Sequence, residues 1–139
     1  MTNYLTSLES LAGRMGVRIR TAPTPASCWG VYDRRHKLIT MRPKLARFQY
    51  DSTLAHELGH AINGHHGHNP KTEHMADRWA AKYLLNFDQV LDHASINDDL
   101  NSLAVSLEVM PWVLEAFKAT LTPSQKLIVS ERLYEQNVA

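Results

Sequence analysis

The 139-residue chain has one cysteine, Cys28, so no internal disulfide can form and the core must hold the fold. A lone thiol agrees with a reducing compartment, and Cys28 reads as an inert free cysteine. Long apolar runs are also missing. The opening MTNYLTSLESLAGRMG is broken by polar residues every second or third position, which suits neither a secretory signal nor a membrane span. No sign of charge dominates: 15 Lys and Arg face 14 Asp and Glu, and no Lys/Arg block marks a nucleic-acid footprint. Repeats, low-complexity runs and linkers are absent as well. These absences lead us to expect a soluble, cytoplasmic protein with no membrane and no direct nucleic acid among its partners. With 44% hydrophobic residues, the length fits one domain over 1–139 that buries a core without staples.

Leu5, Leu8, Leu11, Ala12 and Met15 recur at helical spacing. Val17 to Thr21 alternates apolar and polar, APTPAS interrupts, and WGVYDRRHKLITM reads as a hairpin turning near Asp33 to His36. A helical period starts at Asp51 and stops near Asn63-Gly64, a pair suited to a left-handed C-cap. Asn69-Pro70 has the form of an N-cap and first helical residue, so a further helix should run to about Leu85. The C-terminal third reads as helical, its last segment opening with Thr122, Pro123 and Gln125 in capping-box order. The expected class is α+β: a small, roughly three-stranded, antiparallel-type sheet packed on a helical core, with a helical C-terminal third.

The chemistry concentrates in STLAHELGHAINGHHGHNPKTEHMADRWAAKYLL. On the first helix Leu54, Leu58, Ala61 and Ile62 share a stripe, and His56 and His60 face the other way. Imidazoles at i and i+4 reach a single Zn2+, and Glu57 projects from between the two faces, where a carboxylate serves as general base. A catalytic zinc site takes three protein ligands and keeps one position open. Glu73 and His66 both offer the third ligand. Glu73 would come from the next helix on a stripe with Asp77, Ala80 and Leu84, and Asp77 is placed to accept the second ring N–H of His56 or His60. His66 completes H-E-x-x-H-x-x-N-x-x-H, which needs a downstream Met-turn that neither Met75 nor Met110 supplies. Glu73 is therefore preferred. His65, His68 and His74 are expected in solvent, and a second oxyanion donor is sought among Tyr50, His66, His68 and Arg78.

HELGH at His56 to His60 followed by EHMADRWAAKYLL resembles the ImmA/IrrE family of bacterial and phage zinc metallopeptidases, over about Val17 to Asn86. The resemblance implies His56, His60 and Glu73 as zinc ligands, Glu57 as catalytic base, and a helix-turn-helix repressor of phage, mobile-element or stress genes as protein substrate. Trp79, Tyr83 and Asn86 depart from the family pattern at positions of packing and helix termination. The alternative is a non-proteolytic antirepressor that binds its partner with zinc in a structural or retained role. A third possibility, a helix-turn-helix in NSLAVSLEVMPWVLEAFKATL, is disfavoured because PWVLEAFKAT lacks phosphate-contacting and base-reading side chains; Trp112 and Phe117 suit a core or interface.

Overall fold

A computed structural model describes residues 4–65, 69–97 and 99–138. The order is α1 (Tyr4–Arg14), β1 (Arg18–Thr21), β2 (Gly30–Asp33), β3 (Leu38–Met41), α2 (Arg47–Ile62), α3 (Pro70–Leu84), α4 (Phe87–Ala94), α5 (Leu100–Ser106), α6 (Pro111–Ala119) and α7 (Pro123–Val138). This is an α+β fold with a helical C-terminal part.

The sheet is mixed, where an antiparallel-type one was expected. Its order is β1-β3-β2, with β2 antiparallel and β1 parallel to β3. β1 and β2 run in opposite directions like the arms of a wide hairpin, joined by Ala22 to Trp29, and β3 fills the gap between them. The β2–β3 turn closes where the Asp33 carboxylate accepts from the His36 backbone N–H at 3.2 Å and meets His36 Nδ1 at 2.7 Å. Ile39 and Met41 are fully buried on the inner face of the sheet, in one core with Leu54 and Leu58 of α2.

α2 begins at Arg47, four residues ahead of the expected Asp51. Ala46 is a poor N-cap by type, yet its N–H donates to Gln49 Oε1 at 2.9 Å, which satisfies the turn without the usual signal. The helix ends in a Schellman motif: Gly64, at φ +65°, donates to Ala61 O at 3.2 Å, and His65 donates to His60 O at 3.1 Å. Leu54 and Leu58 are buried, whereas Ile62, in the last turn, is 47% exposed. α3 opens with Asn69 Oδ1 accepting from Thr72 N at 3.0 Å. Its Ala76, Ala80 and Ala81 are fully buried, and these small residues let α2 and α3 pack closely. α7 opens with the reciprocal pair Thr122 N to Gln125 Oε1 and Gln125 N to Thr122 Oγ1, at 3.0 and 3.1 Å.

Val113, Leu114 and Phe117 of α6 are buried in the core, and the exposed positions of this helix, Glu115, Lys118 and Ala119, offer a single cation. Among the described residues, no helix is long and apolar enough to cross a membrane.

Candidate metal centre

One turn of α2 places His56 and His60 side by side, and the first turn of α3 brings Glu73 over both. Glu73 Oε2 lies 3.0 Å from His56 Nε2 and 2.7 Å from His60 Nε2, and the two Nε2 atoms are 3.1 Å apart. The crossing that permits this is the contact of Gly59 with the backbone of Ala76.

Both imidazoles are held from behind. His56 Nδ1 is 2.7 Å from Asp77 Oδ1, one turn beyond Glu73 on α3. His60 Nδ1 is 2.9 Å from His65 Nδ1. An N–H on each Nδ1 leaves both Nε2 lone pairs directed at the point shared with Glu73. His65 then carries its proton on Nε2, which is buried with no hydrogen-bond partner among the described residues.

Glu57 is 4% exposed, and its Oε2 lies 3.8 Å from His56 Nε2. Burial pushes its carboxyl up to about 7, against the opposing pull of His56 and the Tyr32 backbone N–H; Glu73 and Asp77 add to the rise. Oε1 of Glu57 has no hydrogen-bond partner among the described residues. For His56, burial lowers the pKa, but the Asp77 hydrogen bond and the charges of Glu57, Asp77 and Glu73 outweigh it, and the net shift is upward. His60 is lowered, by burial and then by its neighbour His56.

The strand edge reaches the site for a simple reason. Arg42 N donates to Trp29 O, so alternation along the antiparallel pair turns the backbone groups of Gly30 and Tyr32 outward, away from β3. The Tyr32 N–H thereby meets Glu57. A Cβ on Gly30 would lie 2.8 Å from Thr53 Cγ2 and 3.3 Å from Glu57 Cγ, so this position needs glycine for space. A cleft of about 510 Å³ opens over His56, Glu57 and Glu73, with Cys28 and Trp29 on one lip and Trp112 on the other. Arg42 fastens the first lip, donating to Thr24 Oγ1 at 3.2 Å and to the carbonyls of Pro25 and Ala26 at 2.8 Å each. Trp112 meets His56 edge-on, with ring centroids 5.7 Å apart.

The family model described as IrrE N-terminal-like domain, peptidase M78, matches residues 12–116. The chain belongs to the peptidase M78 family. The match runs beyond the Val17 to Asn86 of the sequence resemblance and takes in α4, α5 and most of α6, the helix that supplies Trp112. No curated protein matches the chain. Membership supports a metallopeptidase-type function, and His56, His60 and Glu73 could hold a metal ion. The donor set fits such an ion. Edges of 2.7 to 3.1 Å are near the roughly 3.3 Å between ligand atoms of a tetrahedral site with bonds of about 2.0 to 2.1 Å. Two imidazoles and a carboxylate also suit a borderline divalent cation.

The structure thus brings His56, His60, Glu73, Glu57 and Asp77 together. Tyr50 is elsewhere: six residues before His56 on α2, it packs against the core near Glu9 and Asp51. Arg78 and His74 are exposed on α3, and neither lines the cleft. His66 and His68 lie outside the described residues. His65, expected in solvent, is 9% exposed and packs against His60. Its signal is present in the sequence: with Gly64 at C′ of a Schellman motif, the next residue contacts the one five positions back, which is His60.

Proposed function

We propose that this M78 member is a zinc-dependent peptidase, a single zincin-like domain over 1–139 in which His56, His60 and Glu73 hold Zn2+ and Glu57 is the general base. The observation that carries the reading is Glu57: a buried carboxylate whose Oε1 has no hydrogen-bond partner among the described residues, beside three converging ligand atoms. A structural zinc site has no use for such a group, and closure by four ligands is its usual form.

Bound zinc supplies Lewis-acid polarisation of the scissile carbonyl and makes an attacking water more acidic. Glu57 takes the proton of that water on its carboxylate and delivers it to the leaving amine. Asp77 and His65 hold the two imidazoles in the tautomer that presents Nε2. A substrate chain lies extended along the outward backbone of Gly30, between the Trp29 lip and Trp112. His66 and His68 remain the candidates for a second donor to the developing oxyanion. As substrate we propose a helix-turn-helix transcriptional regulator, acted on in the cytoplasm, on the strength of the family resemblance.

The test pairs Glu57→Gln with Glu73→Ala, scoring zinc content and cleavage of the candidate regulator. Glu57→Gln should keep its metal and lose cleavage, and Glu73→Ala should lose both. Undiminished relief of repression by Glu57→Gln would instead make the protein an antirepressor that works by binding.

A further inference from the structure

A second cavity, also of about 510 Å³, lies among α4, α5, α6 and α7. Apolar side chains of all four helices form its wall. Leu91, Leu114 and Phe117 are buried beneath it, and Val90, Leu103 and Val129 are half-buried around it, with part of each side chain left uncovered. Core packing normally closes such a space, because an apolar void forfeits dispersion contacts along its whole lining. The cavity shares no residue with the metal cleft. At about 100° per residue, Leu114, Phe117 and Lys118 sit on the side of α6 away from Trp112, so this helix stands between the two.

The polar groups of the lining are not equivalent. Asp99 is taken up as the N-cap of α5, its carboxylate accepting from Ser102 N at 2.8 Å and from Ser102 Oγ at 3.1 Å. Asn97 Nδ2 donates to His93 O at 2.7 Å. Lys118 and Lys126, on either side of the α6–α7 turn, are exposed, and neither ammonium has a hydrogen bond or ion pair among the described residues. The charge left to a ligand is therefore positive.

We propose that this cavity binds a small organic anion, an aliphatic carboxylate of medium chain length, with its chain among the apolar walls and its carboxylate held by Lys118 and Lys126. The volume falls in the range of small-molecule sites, which are lined chiefly by apolar side chains with a few polar groups that fix orientation. Walls on four helices suit such a compact ligand, whereas a partner's helix or strand is received by an open groove or a sheet edge. A polyhydroxylated ligand is a poor match, since its hydroxyls would be buried against leucine, valine and phenylalanine without partners. Charge complementarity at Lys118 and Lys126 then favours an acid over an amine or a neutral chain.

The test is isothermal titration calorimetry of the full chain with decanoate, kept below its micelle-forming concentration, and with decylamine, which has the same chain and the opposite charge. Decanoate should bind one to one, about tenfold or more tighter than decylamine. Lys118→Glu with Lys126→Glu should weaken decanoate about tenfold or more with the thermal melt unchanged, since both side chains are exposed. Ala94→Phe, or Val129→Phe should the first fail to fold, puts added bulk into the cavity and should abolish binding. Absence of saturable decanoate binding, equal affinity for decylamine, or full decanoate affinity in the charge-reversed or the filled variant overturns the proposal. So does self-association of the parent that Ala94→Phe abolishes while decanoate fails to bind, which would instead seat a segment of a second copy in the cavity.

Discussion

Gly59 of α2 lies against the backbone of Ala76 of α3 so closely that a Cβ there would come 2.8 Å from the Ala76 carbonyl oxygen and 3.0 Å from its Cα. Ala76 sits between Glu73 and Asp77, and Gly59 immediately precedes His60. The closest approach of the two helices therefore sets the spacing of the metal centre. Gly59→Ala must push backbone rather than a flexible side chain, and it should cost about 1–3 kcal/mol in urea denaturation. Zinc affinity should fall with it, because Glu73 is carried away from both Nε2 atoms. A variant with unchanged stability and affinity would show that the crossing has slack.

The Glu57 carboxyl gives the metal-free protein a pH signature. Its pKa rises from 4.5 to about 7 on folding, chiefly through burial. Between those values the folded state binds the proton that the unfolded chain has released, so stability falls as pH rises through this window, by about 3 kcal/mol in all. Glu57→Gln removes the effect. In chelator, the variant should match the parent near pH 4 and exceed it at pH 8; parallel curves would mean that Glu57 stays hydrated.

In the proposed zinc site, Asp77 and His65 would act on the metal through the imidazoles they hold. Asp77→Ala and His65→Leu should each weaken zinc binding about 10–100-fold in competition with a chromogenic chelator. Equal affinity in His65→Leu would reduce the His60–His65 contact to packing.

Ser52 offers a contrast on the same helix. Its Oγ, fully buried, accepts from Met110 N at 3.1 Å and so ties α2 to the start of α6. Ser52→Ala leaves a backbone N–H without its acceptor and should cost about 1–3 kcal/mol. Zinc affinity should not change, since none of the ligands is touched; a fall in affinity would show that α6 braces the centre.

Features that rest on local chemistry are legible in the amino-acid sequence. The i, i+4 histidines, the Asn69-Pro70 start and the Thr122–Gln125 box depend on contacts within one or two helical turns, and each appears where the spacing puts it. The start of α2 escapes the pattern because Ala46 caps with its backbone and borrows the Gln49 side chain. The parallel β1–β3 pairing is hidden because strand order depends on which gap β3 enters, a choice made by tertiary packing. The polarity of His65 suggests water, although the glycine before it already turns the chain back on His60. Trp112 has no local signal at all: it reaches the cleft from α6, 56 residues after the histidine it touches.

The four hydrogen bonds that Arg42 makes to the Thr24–Trp29 lip leave that wall with little conformational entropy to lose when a chain enters the cleft. For the proposed activity, the ordering cost then falls on the substrate. Glu57 sits at 4% exposure on the cleft floor, within reach of a strand but not of a packed surface. Two targets with the same residues around the scissile bond would therefore be cut at rates set by how easily each opens locally, so that selectivity reads the target's local stability as well as its sequence.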